Sequence, residues 1–139
     1  MDPGTKWIAL WDAITAEAKK VTNLPSDHVV QGLRFPPIMV PMVMIPAGSY
    51  RQISKTTSNT NYEFSIPIYV FSKDADPYTG TKEVIRLMGK IVEQLVDDRT
   101  LGGLCESLED PECTIDPAEI PEGYERQCGR VLVTVREYL

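Results

Sequence analysis

The sequence is short of cysteine, histidine and positive charge, and each shortage removes a class of function. Three cysteines, Cys105, Cys113 and Cys128, are too few for a disulfide framework, and the odd number leaves at least one thiol over. Their spacing contains no C-x-x-C pattern, so neither a zinc cluster nor a dithiol redox site is indicated. Reduced, partly buried thiols are expected. The single histidine, His28, stands in a polar stretch with no nucleophile motif beside it, which argues against a histidine-based catalytic centre. Fourteen Lys and Arg face 20 Asp and Glu, a net charge of −6. That balance argues against a sequence-independent grip on nucleic acid, which works by neutralising phosphates. No apolar run approaches the ~18–20 residues that span a bilayer. Met1-Asp2-Pro3-Gly4 lacks the basic-then-apolar layout of a signal peptide, so the chain is expected to stay in the compartment where it is made, a cytoplasm.

What is present is the composition of one folded domain, 1–139: 42% hydrophobic and 24% charged residues. Trp7, Trp11, Ile14, Ala18 and Val21 recur at helical spacing, widened by Ile8 and Leu10, and predict a helix from about Pro3 to Val21. Asp2-Pro3 supplies its N-cap and first turn, and Asn23-Leu24-Pro25 closes it. A polar loop, Ser26 to Gly32, precedes the apolar run Ile38 to Ile45, which reads as a strand with little solvent on either face. Pro41 places that strand at a sheet edge or a bulge. Pro46 to Ser49 turns into a polar strand, Tyr50 to Lys55, and Thr56 to Asn61 forms a hairpin tip. Alternation from Tyr62 to Val70 marks a third strand. Asp76-Pro77 opens a second helix with Val84, Met88, Ile91 and Leu95 as its stripe, ended by Gly102-Gly103. A short strand at Leu104 to Leu108 and a last one at Arg130 to Tyr138 complete the order. The fold class is therefore α+β: a largely antiparallel sheet of four to five strands with two helices packed on one face.

The segment Glu106 to Glu125 holds eight acids and no Lys or Arg, with Pro111, Pro117 and Pro121, and reads as a long acidic loop rather than an element. Its acids lack the oxygen-ligand register of a calcium loop, and Gly102-Gly103 lacks the Lys-Ser or Lys-Thr of a phosphate loop. The oddities point to a protein surface instead. The 38–45 strand is too apolar for a sheet with one wet face, which nominates Ile38, Val40, Met42 and Met44 as subunit or partner contacts. Asp97 and Asp98 oppose the dipole at the end of their helix. With Arg99, and with Arg51 and Lys55 on the polar hairpin, they are candidate charged contacts.

The segment order, the passage Leu95-Val96-Asp97-Asp98-Arg99-Thr100-Leu101-Gly102-Gly103-Leu104 and the closing strand Arg130-Val131-Leu132-Val133-Thr134-Val135-Arg136 resemble the tail terminator, or tail-to-head joining, proteins of long-tailed bacteriophages. The resemblance covers about Trp7 to Tyr138, and the acidic Pro-rich segment departs from it. It implies a structural virion protein of the tail and neck, with no catalytic site, cofactor or metal. Six copies would form a ring that caps the completed tail tube, ends its polymerisation and joins the head connector or stopper protein. DNA would pass through such a ring without being specifically bound, and no membrane is involved. Two other readings stand beside it: another small tail or neck component (a tube subunit or head-closure ring), or a non-viral α+β binding module.

Overall fold

The computed structural model describes residues 2–33, 40–117 and 126–139. Two helices, α1 (Pro3–Ala18) and α2 (Pro77–Asp97), pack on one face of a six-stranded, mostly antiparallel sheet, giving an α+β fold. The strands are β1 (Val29–Gln31), β2 (Met42–Ile45), β3 (Ser49–Lys55), β4 (Thr60–Phe71), β5 (Glu112–Ile115) and β6 (Cys128–Tyr138).

Both helices start where their caps dictate. Asp2 accepts hydrogen bonds from the Thr5 amide (2.9 Å) and hydroxyl (2.7 Å), and Asp76 accepts from the amides of Tyr78 (3.1 Å) and Thr79 (2.8 Å). In each case proline follows at the first helical position, where its missing N–H costs nothing. The buried line of α1 is Leu10, Ile14 and Ala18, rotated from the sequence-derived stripe so that Trp7 and Trp11 flank it and Ile8 faces solvent. Lys6 is buried beside this line and donates to the Leu104 carbonyl.

Four expectations are corrected. The Ser26–Gly32 stretch is not a plain loop: a 3₁₀ turn (Ser26–His28) leads into β1, which pairs in parallel with β2. Consequently β2 lies between β1 and β4, inside the sheet, and the apolar strand begins after Pro41 rather than carrying it. The acidic segment is not all loop, because Glu112–Ile115 forms β5 against β6. Leu104–Leu108 makes no strand, only a single bridge from Leu108 to Val135.

One device organises the sheet. β2 and β3 pair in succession with the same side of β4, and β6 takes the whole of the other side. From the pair Met44–Tyr69 to the pair Ser49–Ser65 the chain advances five residues while β4 retreats four, so one extra residue is inserted at Pro46–Gly48. This bulge reverses the alternation: Val43 and Ile45 face the helices before it, and Tyr50, opposite Phe64, faces them after it. Pro67 lies where β4 has no ladder partner on that side, so a proline is tolerated mid-sheet. The indoles of Trp11 and Trp7 donate to the carbonyls of Ile45 (2.8 Å) and Ala47 (2.7 Å), which fastens α1 to the break.

Candidate protein-contact surface

The sequence-derived contact residues fall into three groups. Met42 and Met44 are fully buried within the chain, in a second apolar cluster with Tyr69, Phe71 and Cys128 on the face away from the helices. The chain therefore uses both faces of β2 itself, and the apolarity of that strand requires no partner. Val40 is half-buried, and Ile38 lies outside the described residues.

Asp98 and Arg99 are engaged internally. One Asp98 oxygen accepts from the amide (3.1 Å) and hydroxyl (2.7 Å) of Thr100, and the other accepts from the Gly102 amide (2.7 Å). These bonds hold its carboxyl below the usual carboxylate range, the Thr100 hydroxyl contributing most. The acid at the helix end thus builds the turn in which Leu101 plugs the core and Gly102 and Gly103 take positive φ. Arg99 reaches the Leu108 carbonyl (3.4 Å) and Asp110 (3.0 Å). An external cation is not needed to explain Asp98. Asp97 is exposed on the rim of a shallow cleft of about 280 Å³ with Val21, Thr22, Lys90 and Glu93.

Arg51 and Lys55 are exposed on β3, which among the described residues pairs only with β4 and has a single half-buried residue, Ile53. Here the surface has a built character. Tyr50 packs edge-on to Trp7 with centroids 5.2 Å apart and stacks on Phe64 at 5.7 Å, so the strand is anchored by one aromatic side chain while its outer backbone edge has no ladder partner among the described residues. Beside it, Gly4, Trp7, Ile8, Trp11 and Ala47 line an apolar groove of about 260 Å³, with Ile8 59% exposed.

On the opposite face a row of charges crosses the sheet. Arg51 pairs with Glu63 (3.1 Å), Glu63 with Arg136 (3.0 Å), and Arg136 with Glu109 (3.1 Å). The two guanidiniums, Arg136 foremost, keep the Glu63 carboxyl below its ordinary range against the opposing effect of burial. Sequence reasoning found Arg51 but missed Glu63, Arg136 and the groove. The first two are directly opposed only through strand register, and the groove exists only where the bulge meets α1. Of the other candidates, His28 Nδ1 lies 2.8 Å from the Pro41 carbonyl oxygen, and burial, with Glu137 nearby, pushes the Cys105 thiol up to about 11. No group of three or more His, Cys, Asp or Glu is gathered in metal-binding proximity among the described residues, and none of their helices is long and apolar enough to cross a membrane.

Compared with models of protein families the chain matches none, and no curated protein matches it.

Proposed function

We propose that this chain is the subunit of a tail-terminating ring, a structural protein of the virion tail and neck rather than an enzyme. Copies assemble head to tail on the last ring of a finished tail tube, stop its growth and present a surface to the head connector. The observation that carries this reading is the edge of β3, open among the described residues: seven residues, mostly exposed, packed down by Tyr50 and adjoining an apolar groove. A strand of this length with one edge open is a template for another chain, and Arg51 and Lys55 guard it against indiscriminate pairing. The resemblance in the Leu95–Leu104 passage and the closing strand supports the same class.

The test is imaging and native mass of the purified protein, alone and mixed with tail tubes. Closed rings, or discs seated on tube ends that halt further elongation, are the expected result. A stable two-fold dimer indifferent to tubes would overturn the reading.

A further inference from the structure

Among the described residues three strands border the sheet, β1, β3 and β5; β1 (Val29–Gln31) carries no charge, and the other two edges carry opposite charge. At one, β3 carries Arg51 and Lys55 and no acid. At the other, β5 pairs only with β6 among the described residues and carries Glu112, flanked by Asp110 and Asp116. Strand directions match as well. β3 runs antiparallel to β4, β4 to β6 and β6 to β5, so β5 runs opposite to β3. A neighbouring copy's β5 laid along β3 therefore continues the antiparallel alternation without turning either sheet over.

The faces agree too. Arg51 lies opposite Glu63 on the face away from the helices, and Glu112, opposite Leu132, lies on that same face by the alternation of β6. Tyr50 and Cys113 share the helix face, opposite Phe64 and Val131. The charge row Glu109, Arg136, Glu63, Arg51 alternates in sign and ends on a guanidinium side chain that is 70% exposed, so an acid is its natural next member.

We propose that copies of this chain join edge to edge, β3 of one against β5 of the next, with Arg51 beside Glu112 and Tyr50 beside Cys113. This rests on the ring reading above and deepens it by naming the interface. Pairing β3 with β3 sets cations against cations, and pairing β5 with β5 sets acids against acids, so the two-fold alternatives are disfavoured and the head-to-tail contact remains. β5 has only four residues, and a ladder that short suits subunits that pair on a template rather than in dilute solution.

The test is disulfide trapping of the full chain on tail tubes and at high concentration. Tyr50→Cys places a thiol directly opposite Cys113 on the neighbouring copy, and Gln52→Cys, opposite Pro111, places one on the same face diagonal to Cys113; Gln52 is exposed, so its variant preserves the Tyr50 stacking. Mild oxidation is expected to give a ladder of linked multimers that Cys113→Ser abolishes. Glu112→Arg is expected to cut linking at least tenfold, and adding Arg51→Glu to restore it. Linked open filaments would support the edge pairing and overturn the ring. Rings in which neither thiol reaches Cys113, and which Glu112→Arg leaves unchanged, would overturn the edge pairing and leave the ring standing. A protein that neither links nor assembles with tubes overturns both.

Discussion

Gly48 sets the position of the exposed strand, and replacing it with alanine is the sharpest single test of the sheet's construction. It sits in the break between β2 and β3 with φ of 78°, and a Cβ built on it would stand 2.0 Å from the Ser65 carbonyl oxygen and 3.0 Å from the Ile66 Cα. Both obstacles are backbone, so no side-chain rotation relieves them; β3 must move away from β4. The left-handed conformation costs an L-residue ~1–2 kcal/mol. Forcing extra volume into a packed site adds ~1–3 kcal/mol. A loss of about 2–5 kcal/mol is a large part of the ~5–15 kcal/mol expected of a domain. At ~3 °C per kcal/mol it lowers the melting temperature by about 6–15 °C. The assay is thermal unfolding by circular dichroism, with amide exchange along Ser49–Lys55 to show that the strand itself loosens. Gly89→Ala is the internal control: nothing lies within 4 Å of its Cβ, and it sits inside α2. There the methyl is expected to stabilise by up to ~1 kcal/mol. A Gly48→Ala protein melting within about 2 °C of the wild type would refute the argument that the bulge is closed around a bare Cα.

Other perturbations test the remaining contacts. Because the folded Glu63 carboxyl titrates below its ordinary value of 4.5, its contribution is complete above that pH and is lost as pH falls through the depressed folded value. Glu63→Gln should flatten the acid limb of the stability profile, and an unchanged limb would place the acid sensitivity elsewhere. Thiol labelling at pH 8 should modify Cys113 first, since it is exposed, while Cys105 resists because it is buried and titrates at about 11; equal rates would contradict this packing. Asp98→Asn should lower the melting temperature by weakening the turn bonds to Thr100 and Gly102, whereas Asp97→Asn should not; the reverse order would return Asp98 to an external role.

Much of the fold is legible in local chemistry. Asp2-Pro3 and Asp76-Pro77 fix where the helices begin, and the alternation of Phe64, Ile66, Ile68 and Val70 fixes the buried face of β4. What escaped has short elements and composite causes. β1 is three residues in a polar setting, and β5 is four residues amid acids and prolines, so neither offers enough periods for a pattern to show. The charge density that marks Glu106 to Glu125 as solvated is real, yet Cys113, Thr114 and Ile115 are strand formers, and an edge strand needs only one partner. Missing β1 then misplaced β2: without an outer neighbour Pro41 reads as a mark of an edge and the strand's apolarity as a demand for another chain.

The surface was harder to read than the core because an edge is a property of topology. Arg51 and Lys55 are visible in the sequence as cations on a polar strand, but their significance depends on β3 having, among the described residues, a neighbour on one side only. Glu112 is one acid among eight until β6 fixes its position at the far end of the same sheet. With both edges placed, their charges acquire a direction. Two like edges would each have been a liability, open to fusion with any copy in the same orientation. In the proposed edge-to-edge contact, edges of unlike sign would instead restrict self-association to one polarity, the polarity that a closed ring requires and a two-fold dimer lacks. Screening bears on the two alternatives in opposite ways. Exposed pairs weaken over a Debye length of ~8 Å at physiological ionic strength, so added salt should loosen the β3–β5 contact while relaxing the repulsion that holds β3 from β3. Native mass recorded at rising salt should therefore show head-to-tail species declining first. Head-to-tail species that strengthen with salt would mean that apolar contacts at Ile8 and the groove, rather than the charged edges, hold neighbouring copies together.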